Sequence, residues 1–262
     1  NAADPAVAAM APHCPGDVTF FAQDPAQPVL AAHRAQGRRV LYVESGDLIA
    51  QKGKQVFRIA LNQVPITRGG QIGFQVENVM AAVGAAWAVG VDWAHIAEAV
   101  STFVSDLQGV PGRFNLFDFR GATLIADYGH NPDAMIALVA AVRNMPAKRR
   151  SVVISGAGDR RDEDIREQTR ILGAAFEEVI LYQDACQRGR SDGEVVALLR
   201  EGLQGAERTE HVQEIQGEFL AIDTALSRLE AGDLCLILID QVEEALAHIE
   251  NRVRESQASA AH

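Results

Sequence analysis

Thr123-Leu124-Ile125-Ala126-Asp127-Tyr128-Gly129-His130-Asn131-Pro132-Asp133-Ala134 is the stretch whose reading decides the fold. A short apolar strand runs straight into a polar turn, and the turn runs into a helix. Pro132 can begin that helix because its missing N–H would be unpaired there anyway, with Asn131 as N-cap. The same alternation continues to the end of the chain. Apolar strands at Ser151–Ser155, Val179–Tyr182, Thr209–Ile215 and Leu234–Ile239 alternate with helical patterns at Glu163–Phe176, Asp192–Gln204 and Glu218–Leu229. The first helix covers Asp133–Arg143, and a last one follows from Val242 to about Val253. Strands alternating with helices of this length imply a parallel sheet with right-handed crossovers. Such a doubly wound sheet places its ligands at the carboxyl ends of the strands.

Upstream the texture changes. Val40–Val43, Leu48–Gln51 and Gln55–Ile59 read as short strands separated by Ser45-Gly46-Asp47 and Lys52-Gly53-Lys54, an antiparallel meander. An Ala-rich helix is predicted over Glu77–Val89 and another over about Asp92–Phe103, with Asp92 as N-cap. The two textures meet near Gly109–Arg113. The sequence therefore divides into residues 1–112, residues 113–254 as a Rossmann-like domain, and a small, polar, flexible tail over 255–262.

A length of 262 residues allows one large domain or two ordinary ones, and 48% apolar content is enough for a core. No apolar run reaches the roughly 20 residues of a membrane span. The net charge of −11 opposes nucleic-acid binding, which depends on Lys and Arg meeting phosphates. Cys14, Cys186 and Cys235 are widely spaced and odd in number, indicating neither a disulfide framework nor a zinc site. A reducing cytoplasm is the natural reading. The chain opens at Asn1 in what reads as the middle of a motif and is expected to be a fragment.

Polar residues gather after the strand ends. Asp127 can accept hydrogen bonds from a ribose or similar diol, although the same stretch also reads as an elaborate turn capped by Asn131. Ser155-Gly156-Ala157-Gly158-Asp159-Arg160-Arg161-Asp162-Glu163-Asp164 combines glycines that allow close backbone approach with a helix start that favours an anion. A charged, solvated helix start explains its acids but explains Arg160 and Arg161 poorly. Asp184 and Arg188, after the next strand, could clamp an amino acid: the carboxylate takes an amine or guanidinium, the guanidinium a carboxylate. Asp240-Gln241-Val242-Glu243-Glu244 closes the set. Singly each could be a solvated loop; together they sit on one rim of one sheet, where α/β folds put their sites.

These residues resemble the Mur ligase family. Asp127–Ala134 is similar to the signature at the first strand of its C-terminal domain, and Pro111-Gly112-Arg113-Phe114 to its linker. Gly158-Asp159-Arg160 resembles its Gly-Asp-Arg loop, and Phe74-Gln75-Val76-Glu77-Asn78-Val79 its central-domain helix start. Asn1-Ala2-Ala3-Asp4-Pro5 looks like the family's Asn-x-Asp-Asp stretch, with Pro5 in place of the second Asp. The Gly-x-x-Gly-Lys-Thr/Ser phosphate loop of the family does not occur in the chain.

The resemblance implies part of an ATP-dependent amide ligase using ATP and Mg2+, with residues 1–112 from the ATPase domain and missing N-terminal domains of the same protein upstream. The implied branch joins arginine to the aspartate β-carboxyl of a polymer, as a homo-oligomer; a muramoyl-peptide or folylpolyglutamate ligase, or a non-catalytic nucleotide- or partner-binding fragment, are the alternatives. By the same resemblance Asn78 contacts adenine, Arg113 and Asp127 hold ribose and phosphate, and His130 and Asn131 line the site between domains. Asp159, Arg160, Asp162, Asp184, Arg188 and Glu243 would bind the incoming amino acid, with the acids facing its guanidinium.

Overall fold

A computed structural model describes residues 1–183 and 188–260, which fall into two compact units that meet between Val104 and Ser105. The boundary lies earlier than the predicted 112/113, because the linker residues from Ser105 to Asn115 are hydrogen-bonded into the second unit.

The first unit holds α1 (Pro5–Ala9), β1 (Phe20–Phe21), α2 (Pro28–Ala35), β2 (Arg39–Glu44), β3 (Asp47–Lys52), β4 (Gln55–Ala60), α3 (Gly73–Ala88) and α4 (Trp93–Thr102). The meander forms as the alternation dictates: Leu41 pairs with Ala50, and Ala50 with Phe57. Ser45 and Gly46 both take positive φ, the backbone a two-residue hairpin requires. One sheet face packs Leu41, Leu48 and Ile59 on Val76, Met80 and Ile96; the other packs Val40, Tyr42 and Ile49 on Leu30. Asp92 caps α4 by accepting from Ala94 N at 3.0 Å. The helix α2 and the parallel β1 strand lie in a segment whose residues carry no clear period.

The second unit holds β5 (Asn115–Phe119), β6 (Ala122–Asp127), α5 (Pro132–Arg143), β7 (Arg150–Ile154), α6 (Asp162–Gly173), β8 (Glu178–Gln183), α7 (Glu194–Gly202), β9 (His211–Gln216), α8 (Glu218–Arg228), β10 (Leu234–Leu238) and α9 (Val242–Ala260). Strand order is β5-β6-β10-β7-β8-β9. The sheet is parallel from β6 onward, and β5 joins its edge antiparallel. That hairpin, turned at Arg120 and Gly121 with positive φ, makes the sheet mixed rather than purely parallel. The last helix runs to Ala260, so the expected flexible tail is helical over 255–260, with Ser256 buried. No helix among the described residues is long and apolar enough to cross a membrane.

Packing follows the strand pattern. Leu124, Val153, Ile180 and Ile237 point to the face covered by Ala221, Ile222, Leu246 and Ile249 of α8 and α9. The neighbouring Ile125, Val152, Val179 and Leu236 are fully buried as well, as residues facing the opposite side must be. There α5, α6 and α7 stand side by side. A Cβ on Gly202 would lie 2.1 Å from the Arg166 carbonyl oxygen, so only glycine lets α7 approach α6 this closely. Thr169 then donates to Leu199 O at 2.7 Å across the same contact.

Because β10 is inserted between β6 and β7, its exit helix leaves on one face while α5 and α6 leave on the other. The carboxyl ends of β6, β10 and β7 thus flank a topological switch point, the place where open α/β sheets bind ligands.

Candidate functional site

The linker fixes one wall. Gly112 takes φ +69°, and a Cβ there would meet Val242 at 2.9 Å, so the chain can pass only as glycine. Its N–H donates to Asn115 Oδ1 at 2.7 Å, and its carbonyl accepts from Tyr128 N at 2.8 Å. Phe114, buried with φ +54°, donates its N–H to Asp127 Oδ2 at 2.9 Å. Left-handed backbone is unfavourable for a phenylalanine, and the Asp127 carboxylate holds it.

Asp127 is 8% exposed, and burial raises its pKa to about 6, against the backbone N–H groups of Phe114 and Gly129 and the charges of Arg113 and His130. Its first task is therefore to fix the linker; a ribose would have to use the lone pairs that remain. Asn131 accepts from Ala134 N at 2.8 Å as the N-cap of α5. Exposed Arg113 lies over the Tyr128 ring, 5.7 Å from its centroid.

Four turns meet at this edge of the sheet. Arg188, after β8, places Nη1 3.5 Å from Asp159 Oδ1 in the turn after β7 and Nη2 3.2 Å from Asp240 Oδ1 after β10. His130, after β6, approaches the same Asp240 oxygen, with Nε2 3.5 Å from Oδ1. The neighbouring Tyr128 hydroxyl, and after it the Asp240 and Asp159 carboxylates, hold the Arg188 guanidinium pKa above the usual value. His130 is 9% exposed, its ring 4.3 Å from that of Tyr128, and its Nδ1 is buried without a hydrogen-bond partner among the described residues.

A second arginine ties the turns together. Arg190 donates to Gly158 O and Arg160 O, both at 2.7 Å, and pairs with Asp162 at 2.8 Å and Glu194 at 2.7 Å. Under the β10 turn, buried Glu218 accepts from Asp240 N at 2.9 Å and Gln241 N at 3.1 Å, and burial pushes its carboxyl pKa up.

The structure thus brings together Arg113, Asp127, His130, Asp159, Asp162 and Arg188. Arg160 contributes its carbonyl to the clamp while its side chain is exposed. Glu243 is exposed in the first turn of α9 and stands apart from the Arg188 network. Asn78, in the first unit, is exposed and donates to Gln75 Oε1 at 3.1 Å. Asp184 lies outside the described residues, as does Cys186. The rim is not a bare acidic patch: Asp159, Asp162 and Asp240 already face the chain's own arginines. The Asp159 and Asp162 side chains are 56% and 50% exposed, so a ligand guanidinium can reach them, whereas Asp240 and Arg190 are largely covered at 16% and 17%.

The sequence does not single out Tyr128 or Glu218 as site residues. Tyr128 lies inside the deciding stretch, whereas Glu218 is indistinguishable there from an acid placed by the helix dipole.

Residues 112–238 match the family described as Mur ligase, glutamate ligase domain. Over 255 residues the chain is 35% identical to the cyanophycin synthetase of Crocosphaera subtropica, covering 96% of this chain and 29% of that protein. A UDP-N-acetylmuramoyl-L-alanyl-D-glutamate–2,6-diaminopimelate ligase of Bradyrhizobium diazoefficiens is 33% identical over 165 residues, 63% of this chain and 32% of that one. Among solved structures, E. coli FolC in complex with DHPP and ADP superposes with a TM-score of 0.61 at 18% identity, over 92% of this chain and 54% of FolC. The chain spans less than a third of the length of the curated relatives it matches.

Proposed function

We propose that the chain, whose residues 112–238 match the family described as Mur ligase, glutamate ligase domain, is the amino-acid-adding part of an ATP-dependent amide ligase similar to cyanophycin synthetase. In this reading ATP transfers its γ-phosphoryl group to a carboxylate and leaves as ADP; an amine then attacks the acyl phosphate, loses a proton and expels inorganic phosphate, and the new amide joins arginine to an aspartate β-carboxyl of a polymer. The observation that carries it is the meeting of four strand-end turns on Arg188, with Asp159 and Asp240 beside it and His130 behind.

Each group has a task that its chemistry suits. Arg188 offers a planar fork to the α-carboxylate of the incoming amino acid. Asp159 and Asp162 offer acceptors to its guanidinium. Arg113 faces phosphate, where a fixed cation stabilises charge that develops on transfer. Asp127 holds the linker in place and, with its free lone pairs, a ribose hydroxyl. Asn78 is the candidate for adenine contact in the first unit. Positioning dominates the amide-forming step, since a neutral amine held against an acyl carbon needs no further activation than orientation and loss of a proton.

Among the described residues no cluster of three or more His, Cys, Asp or Glu side chains could hold a metal ion. The described residues therefore offer no place for Mg2+.

The test is phosphate release and amide formation by the full-length protein with ATP, an aspartate-bearing polymer and single amino acids. Arginine-dependent turnover is the expected result. Turnover with diaminopimelate or glutamate in preference to arginine assigns the chain to a different Mur-type ligase, and no amino-acid dependence removes the ligase reading.

A further inference from the structure

At the amino ends of the strands, away from the turns that meet at Arg188, the run Lys148-Arg149-Arg150 leads into β7. Two of these three cations are engaged by backbone carbonyls. Lys148 Nζ donates to Ala231 O at 2.7 Å, and Arg150 donates to Met145 O at 2.7 Å and Val142 O at 3.3 Å. Arg149 is exposed, and its guanidinium makes no ion pair or hydrogen bond among the described residues. Its backbone is pinned, because its carbonyl accepts from Leu234 N at 3.0 Å.

Arg149 lines a cavity of about 550 Å3 with Glu178, His211, Val212, Gln213 and Arg228. Glu178 and His211 begin β8 and β9 and stand opposite each other in the register, while Arg228 ends α8. Glu178 is the one acid on the wall; its side chain is 12% exposed and already paired with Arg228, which also donates to Gln213 Oε1. An adjoining recess of about 20 Å3, room for one water, shares Arg149, Glu178 and Arg228 and reaches Ser151. Ser151 is 8% exposed, and its Oγ has no hydrogen-bond partner among the described residues.

We propose that this cavity is a second ligand site, one that takes a phosphoryl group through Arg149, Arg228 and His211. It goes beyond the ligase reading and uses none of the residues on which that reading rests. With Glu178 balanced by Arg228, the Arg149 guanidinium is an excess positive charge on the wall, and an anion is the ligand that answers it. Arg149 offers a planar fork that suits two oxygens of one oxyanion. Arg228 keeps further N–H groups beyond those given to Glu178 and Gln213, and the exposed His211 ring adds a third direction. Three donor groups suit the several oxygens and the double charge of a phosphate better than the two oxygens of a carboxylate. The Ser151 hydroxyl, with one water in the recess, completes a polar floor. The volume falls within the roughly 300–1,000 Å3 of small-molecule pockets, so a phosphorylated small molecule fits as well as the free ion.

The test is calorimetry of the full-length protein with inorganic phosphate, in excess ADP so that nucleotide subsites are filled. Wild type is expected to take up phosphate, and Arg149→Ala to bind it about tenfold more weakly, the loss of hydrogen bonds from a charged group. Ser151→Ala is expected to weaken it about threefold. Arg188→Ala, at the other end of the sheet, should bind phosphate as wild type does. Glycerol 3-phosphate separates the two sources of the ligand: tighter binding than phosphate assigns the site to a phosphorylated small molecule, weaker binding to the free ion. Phosphate affinity equal to wild type in both Arg149→Ala and Ser151→Ala overturns the proposal. So does its loss in Arg188→Ala, which would place the anion in the ligase site, or acetate binding as tightly as phosphate. Arg149 is exposed, so Arg149→Ala should melt with wild type in the absence of phosphate; phosphate should then raise the melting temperature of wild type and not of the variant. An equal rise in both contradicts the site. None of these measurements needs turnover, so failure of the ligase reading leaves them standing.

Discussion

Arg188 Nη2 stands 3.2 Å from Asp240 Oδ1, joining the turn after β8 to the turn after β10 although 52 residues separate them. The contact exists because β10 is inserted beside β7, which brings three strand ends carrying Asp127, Asp240 and Gly156 to the switch point of the sheet.

Arg190 is the clamp on the Gly-Asp-Arg turn, holding two of its carbonyls and Asp162 at once. Lysine has one ammonium and cannot reproduce those directions. Arg190→Lys should leave the fold intact and speed hydrogen exchange of the amides over 157–162, read by mass spectrometry. Unchanged exchange there would show that the turn holds itself.

Glu218 accepts from the N–H groups of both Asp240 and Gln241 while only 2% exposed. Glu218→Ala leaves two inward donors without acceptors, at about 1–3 kcal/mol each before water repairs part of the loss. Urea denaturation should show a loss of about 3 kcal/mol. A loss below about 0.5 kcal/mol would mean that solvent reaches those amides.

Gly202→Ala forces a methyl group against the Arg166 carbonyl oxygen, so α7 must move away from α6 or the variant must strain. Overpacking of this kind costs about 1–3 kcal/mol, and a melting temperature equal to wild type would contradict the close approach.

Asp127 has a folded-state pKa of about 6, above the ordinary 3.8. The folded protein therefore holds this proton more tightly than the unfolded chain. The group's stabilising contribution is full at pH below about 4 and is lost as pH rises through about 6, by on the order of 3 kcal/mol. Asp127→Asn keeps one acceptor for Phe114 and cannot ionise. Subtracting its pH–stability curve from wild type should leave a fall between about pH 4 and 6; a flat difference would show the carboxyl to be solvated.

Much of the second unit is legible in the residues because its strands are buried on both faces and read as unbroken apolar runs, as at Leu234–Leu238. Asn131 as a cap is legible for the same local reason. The antiparallel β5 is not, since its alternating Asn115–Phe119 looks like linker until β6 is there to pair with it. Nor is the extent of α9, whose last turns are polar and depend on Ser256 finding a buried place. At the site, sequence identifies which residues could meet a ligand. It cannot tell that Asp159 and Asp162 are already answered by Arg188 and Arg190, because those pairings depend on the geometry of two different turns.

Arginine dependence of the full-length protein, measured for wild type, Asp159→Ala and Asp240→Asn, tests the proposed amino-acid site most directly. If the turns around Arg188 receive the incoming amino acid, KM for arginine should rise at least fivefold in both variants while KM for ATP stays within about twofold, a change worth about 1 kcal/mol or more. An arginine KM equal to wild type in both would place the amino acid elsewhere and end this account of the site.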